Sequence, residues 1–325
     1  MVNLKFLQRC FMFLFVGTSM CVLQACSDDD EESGGSLNTD VGEVVAGSGE
    51  KLLSAGDYNF YYSEDGKIKY ATDDWTLYEF SSNQLICYED YDYGETDKSV
   101  TSLSYNGEGY ISKMHLSEVW DEEGERGSYS STSNLAYDGE GHLTKVTVKY
   151  SGEYAYDGET ERESGTSTIN LTWDDGCLVK YEYVASDNEG WTNKETATFD
   201  YEDGEYANEH KQYATFADDL FGDEATVCAY IGLFGKGPDY LPAKVELEEV
   251  EIYDGEEEYS YDYTAYYAYS FNDDGTIRRV NSDYFTYGTI EEQGDIDDYQ
   301  AKVTRTEKSQ KRNFVFGSRL KNHKR

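Results

Sequence analysis

Catalytic and metal-binding chemistry needs particular side chains at fixed spacing, and this sequence supplies the side chains without the spacing. His115, His142 and His210 stand apart from one another, and no His-x-x-x-His or Cys-x-x-Cys pattern accompanies them, so no zinc site is expected. Asp187-Asn188-Glu189-Gly190 and Asn272-Asp273-Asp274-Gly275 have the composition of calcium loops. Neither continues into the twelve-residue EF-hand pattern, and the turn chemistry of Asn, Asp and Gly accounts for both. With 66 Asp and Glu residues, a carboxylate pair for glycoside hydrolysis could be drawn from almost anywhere, so the sequence nominates none. It has no phosphate-cradling glycine loop that opens a helix and no Gly-x-Ser-x-Gly elbow. No metal, no cofactor and no catalytic residue is therefore expected.

One cysteine does have a reaction written around it. Lys5 and Arg9 give a basic start, an apolar run follows from Phe11 to Val16 and loosens toward Val22, and the segment ends in Leu23-Gln24-Ala25-Cys26. This order of regions is that of a secretory signal over residues 1–25. Gly17, Thr18 and Ser19 interrupt the apolar run, which falls short of the roughly 20 residues a membrane span needs. Leu23 to Cys26 resembles the lipobox of bacterial lipoproteins. The resemblance implies that the Cys26 sulfur is lipidated and that cleavage makes Cys26 the new N-terminus. Each acyl CH2 buried in lipid contributes about 0.8 kcal/mol, so several chains on one cysteine hold a protein to a membrane without any transmembrane helix.

Ser27, Asp28, Asp29, Asp30, Glu31 and Glu32 follow at once. An acidic run beside anionic headgroups is repelled, and the polar composition up to about residue 49 predicts an unfolded tether over 26–49. The run resembles the acidic tag that sends certain Gram-negative lipoproteins to the outer leaflet of the outer membrane; the alternative is a spacer with no address. Localisation at the outer membrane, facing the exterior, is the expectation.

Charge narrows the partners. The formal net charge is −39, and the 27 Lys and Arg residues include nine between Ala301 and Arg325, so the stretch between tether and tail is strongly acidic. Such a surface repels nucleic acid. Only 2 prolines occur against 32 tyrosines, a composition that suits strands. Cys87, Cys177 and Cys228 form no closely spaced framework and read as buried unpaired thiols, with one bridge plus a free thiol as the alternative.

A repeat organises residues 50–300. Tyr105-Asn106 to Gly109-Tyr110-Ile111, Tyr137-Asp138 to Gly141-His142-Leu143, Trp173-Asp174 to Gly176-Cys177-Leu178 and Phe271-Asn272 to Gly275-Thr276-Ile277 share one order: aromatic, Asn or Asp, tight turn, Gly, one residue, aliphatic. This reads as a β-hairpin, with Gly accepting a left-handed position. Leu103, Leu135 and Leu171, two residues before the aromatic, read as core. After the turn, Ile111 to Met114, Leu143 to Val146, Leu178 to Tyr181 and Ile277 to Val280 are each three apart. Both members can face one core only if the return strand carries a bulge, which would curl the sheet. Acidic stretches such as Trp120 to Ser128, Ser151 to Gly165 and Ala185 to Glu195 read as long connections at the opposite edge. The expected fold is all-β, an antiparallel up-and-down meander closing into a water-soluble barrel or strongly curled sheet. One short helical or irregular insertion is expected over 217–233, and a basic tail of unassigned role over 301–325.

These hairpins, the Leu241-Pro242 step after a Gly-rich loop, and the lipobox with its acidic run together resemble an uncharacterised lipoprotein family of surface-dwelling gut bacteria, a domain of unknown function with a porin-like fold. The hairpin is also similar to the YD repeats of polymorphic-toxin shells. The resemblance implies no catalytic residue. A surface binding or scaffold module for a glycan or protein ligand is the first functional reading, a glycan hydrolase or lyase the second, and a shell or assembly component the third. Tyr259, Tyr261, Tyr263, Tyr267, Tyr269 and Phe271 share one strand parity. Most of that face reads as core, and the Tyr259 and Tyr261 end is the candidate ligand platform.

Overall fold

The computed structural model describes residues 43, 48–90, 96–122, 125–156, 159–201, 206–221, 223–294 and 296. Cys26, the acidic run Ser27 to Glu32 and the basic tail lie outside the described residues. Five short strands come first: β1 (Lys51–Ala55), β2 (Tyr58–Tyr62), β3 (Ile68–Thr72), β4 (Thr76–Phe80) and β5 (Gln84–Asp90). Seven long ones follow: β6 (Thr96–Tyr105), β7 (Ile111–Glu122), β8 (Glu125–Tyr137), β9 (Leu143–Tyr156), β10 (Glu159–Asp174), β11 (Cys177–Asp187) and β12 (Trp191–Asp200). A β13 (Tyr206–Ala207), two helices, α1 (Phe216–Phe221) and α2 (Asp223–Tyr230), and β14 (Tyr240–Leu241) interrupt them. The chain then returns to the sheet through β15 (Lys244–Tyr253), β16 (Glu256–Tyr266), β17 (Tyr269–Phe271), β18 (Ile277–Val280) and β19 (Asp283–Gly288).

The repeat is a run of hairpins with a bulge at one recurring place. Register shifts fall between Ser104 and Tyr105, Ala136 and Tyr137, Thr172 and Trp173, and Ser270 and Phe271, each opposite the extra residue on the return strand. Both residues of every three-residue step are consequently buried, from Ile111 and Met114 to Ile277 and Val280, and so are Leu103, Leu135 and Leu171. Gly109, Gly141 and Gly275 adopt φ of 87, 94 and 83°, as the turn requires. The third copy differs: Asp175 and Gly176 both have positive φ, which makes a two-residue turn of the primed kind.

In three places an aromatic beside a turn bonds back to the preceding hairpin. The Tyr137 hydroxyl donates to the Ile111 carbonyl at 2.6 Å, Trp173 Nε1 to the Leu143 carbonyl at 2.8 Å, and the Tyr201 hydroxyl to the Leu178 carbonyl at 2.8 Å. Each time the acceptor is the first return-strand aliphatic of the preceding hairpin, beside the bulge where the ladder is disturbed. Tyr137→Phe is therefore expected to cost about 1–3 kcal/mol, because it leaves that carbonyl without its donor. Urea unfolding of the variant measures this, and an unchanged midpoint would remove the role.

The sheet is antiparallel throughout but is not closed into a barrel or strongly curled, contrary to the expectation from the bulges. Pairing runs from β17 through β18, β19, β1 and the consecutive strands to β12, β15 and β16. Its ends, β16 and β17, are neighbours in the chain with no ladder between them. A bulge bends one strand locally, whereas closure requires a ladder partner on the far side of β16. β17 to β19 are too short to provide one beyond Tyr266.

The acidic stretches are also not loops. Glu122 pairs with Glu125, Tyr156 with Glu159 and Ser186 with Thr192, so the ladder runs on through most of each stretch. Alternating Tyr, Ser and Glu are compatible with a pleated strand whatever their charge.

The helical insertion closes off the core at the tight-turn end, close to where the sequence placed it. Phe216, Leu220, Val227, Cys228, Tyr230, Leu233 and Phe234 are all buried in the same cluster as the sheet residues. The Ile111 amide donates to the Leu233 carbonyl at 2.9 Å, Lys236 N to Gly141 O at 2.9 Å and Asp239 N to Gly176 O at 2.8 Å, so three tight turns dock on one segment. Cys87, Cys177 and Cys228 form no disulfide with one another.

Candidate functional site

The groups with ordinary catalytic chemistry are occupied with structure. His142 is stacked on Trp173 with ring centroids 4.3 Å apart, and its Nδ1 lies 3.1 Å from Asp138 Oδ2. His115 Nδ1 is 2.9 Å from Thr132 Oγ1, and His210 Nε2 is 2.8 Å from the Asp274 carbonyl. The two calcium-like stretches are turns. Asp187 Oδ1 accepts from the amides of Glu189 and Trp191, and Asp274 Oδ1 from that of Thr276. No group of three or more metal-ligating side chains occurs among the described residues.

The tyrosine face of β16 divides as its surroundings change. Toward the tight-turn end Ala265 and Tyr267 are buried, and Tyr269 and Phe271 pack half-buried against the core. At the other end Tyr259 is 38% exposed, with Tyr261 and Tyr263 half-buried. The three rings form one parallel row: Tyr259 to Tyr261 and Tyr261 to Tyr263 are each 6.5 Å between centroids, at 10° and 12° between planes. β16 pairs with β15 along its length and has no ladder partner on its other side among the described residues.

Cross-strand register sets acids beside it. Tyr183 on β11 is opposite Glu195 on β12, Glu195 is opposite Glu249 on β15, and Glu249 is opposite Tyr261 on β16. Two carboxyl groups flanked by two tyrosines thus cross four strands on one face of the sheet. Asn193 and Glu251 make the adjoining pair, ending at Tyr259. Asn193 Nδ2 donates to Glu249 Oε1 at 2.9 Å, while Asn193 Oδ1 is buried with no hydrogen bond. Burial, and secondarily the Glu249 carboxylate, pushes the Glu195 carboxyl up to about 8. Burial also raises Glu249, against the opposing pull of the Asn193 hydrogen bond. Burial of this kind favours the neutral form of a carboxyl, here beside one acceptor, Asn193 Oδ1, that lacks a donor.

The sequence nominates Tyr259 and Tyr261 as candidates and does not point to Glu195, Glu249 or Asn193. The parity of each strand was readable, but β12 and β15 are separated by the helical insertion, and nothing in the chain states that they pair residue 195 with residue 249.

No known family profile and no curated protein matches the chain. Among solved structures it is similar to a porin-like protein from Bacteroides vulgatus ATCC 8482, at 13% identity and a TM-score of 0.40, covering 75% of this chain and 93% of that one. A porin-like protein from Bacteroides uniformis ATCC 8492 is similar at 12% identity and a TM-score of 0.25, over 66% of this chain and 93% of that one. At these values the functional reading rests on the residues of this chain. No described helix is long and apolar enough to cross a membrane.

Proposed function

We propose that this chain is a lipid-anchored outer-membrane protein that faces the cell exterior and acts as a binding module, with the Tyr259–Tyr261–Tyr263 row as its ligand contact. The lipobox at Cys26 supports the anchor, and the acidic run Ser27 to Glu32 supports export to the outer leaflet. The observation that carries the binding reading is the row itself. Three near-parallel rings on a strand with no ladder partner on one side among the described residues offer apolar surface edged by hydroxyls, on which a sugar ring stacks and hydrogen-bonds. Tyr259 is exposed and Tyr261 and Tyr263 are half-buried, so the row opens to solvent at its Tyr259 end.

A glycan microarray on the full chain, paired with a Tyr259→Ser/Tyr261→Ser variant, tests this. The expected result is a bound glycan class that the variant loses by about tenfold or more at an unchanged melting temperature. A lowered melting temperature with no ligand found would return the row to the core. Turnover of the bound glycan would replace binding with hydrolysis.

A further inference from the structure

We infer that the row Tyr183–Glu195–Glu249–Tyr261 receives an organic primary ammonium group, with Asn193 Oδ1 as its third acceptor. This rests on the reading of the β16 tyrosines as a ligand surface and adds the charge that the ligand carries. An ammonium has three N–H donors and no acceptor. The site matches it with two carboxyl groups in direct cross-strand register and one amide oxygen. Asn193 is 7% exposed, and its Nδ2 is committed to Glu249, so its Oδ1 sits beside the pair as a buried acceptor without a donor. Tyr183 and Tyr261 bound the pair on either side along the row. The basic residue next along the strand, Lys194, alternates to the opposite face and is exposed there. Nothing basic in the row itself competes for the place, and an anionic ligand would be repelled by the same groups.

The acids also make the binding depend on pH. Tyr181, Tyr183, Glu249, Glu251 and Tyr261 are the titratable groups that face Glu195 from β11, β15 and β16. In the empty site burial holds Glu195 protonated up to about pH 8, whereas an ammonium favours its carboxylate, so binding expels a proton. Affinity should rise as pH climbs through that value.

An amino sugar and a lysine side chain both present this group, and calorimetry on the full chain separates them. The probes are glucosamine and Nα-acetyl-lysine methylamide, each against its N-acetylated counterpart. At least one free amine should bind, with its acetylated form weaker by about tenfold or more, and Glu195→Gln and Glu249→Gln should each lose about tenfold. The lysine probe, whose ammonium persists to about pH 10, should bind about tenfold or more tighter at pH 8.5 than at pH 6. Glutamine keeps the size of either carboxyl and the neutrality of protonated Glu195, so an unchanged melting temperature assigns the loss to binding. Equal binding of free and acetylated probes, equal affinity at the two pH values, or calcium chloride binding in place of both amines would overturn the ammonium site. If glucosamine and N-acetylglucosamine bound equally and Tyr259→Ser/Tyr261→Ser abolished both, the tyrosine surface would stand without it. Failure of every glycan and probe to bind would remove both readings.

Discussion

Gly235→Ala is expected to lower the stability of the chain by about 2–4 kcal/mol. Gly235 has φ +86°, where a side chain costs about 1 kcal/mol or more, and a Cβ there would run into the backbone oxygen of Gly141 and the ring of Tyr137. Neither neighbour can yield cheaply. The Gly141 carbonyl accepts the Lys236 amide at 2.9 Å, Gly235 bridges to His142, and Tyr137 is held by its bond to Ile111. The substitution therefore pushes the helical insertion off the second hairpin and opens a cluster that buries Phe234, Leu233 and Leu143. Gly107→Ala is the control, because a Cβ at Gly107 meets nothing within 4 Å. Urea unfolding of both variants reads the difference, and coincident midpoints would show that the insertion is not anchored through this contact.

Cys26→Ala is expected to have the largest effect on location, moving the protein from the membrane fraction to the soluble one. Lipidation requires the cysteine sulfur, and no apolar stretch of adequate length replaces it. Substitution of Asp28 to Glu32 by Ser should leave the lipid in place and remove the protein from the cell surface. Membrane fractionation checks the first variant, and protease shaving of intact cells checks the second. If the Ser variant is shaved as readily as the native chain, the acidic run is only a spacer.

Much of the hairpin architecture was legible because its causes are local. Asn106, Asp138 and Asn272 open their turns through bonds between near neighbours, such as Gly109 N to Asn106 O at 3.1 Å. The three-residue step announced the bulges because side-chain parity is a property of one strand. Extended acidic stretches were misread as loops because charge says little about a strand whose polar side chains reach water. The barrel expectation failed for a different reason, since closure depends on whether strands far apart in the chain are long enough to meet.

The candidate site divides along the same line. By itself the sequence determined that residues 259, 261 and 263 share a face, that the insertion over 217–233 breaks the strand pattern, and that Cys26 ends a stretch resembling a lipobox. Each is encoded in consecutive or alternating residues. Only the tertiary structure decided that Tyr259 stands exposed while Tyr267, eight positions along on the same face, is buried. It also decided that Glu195 meets Glu249 across a strand pair interrupted by more than forty residues of chain. Register between distant strands is set by the whole sheet and its packed insertion, and the burial that raises the Glu195 carboxyl exists only once those strands have come together.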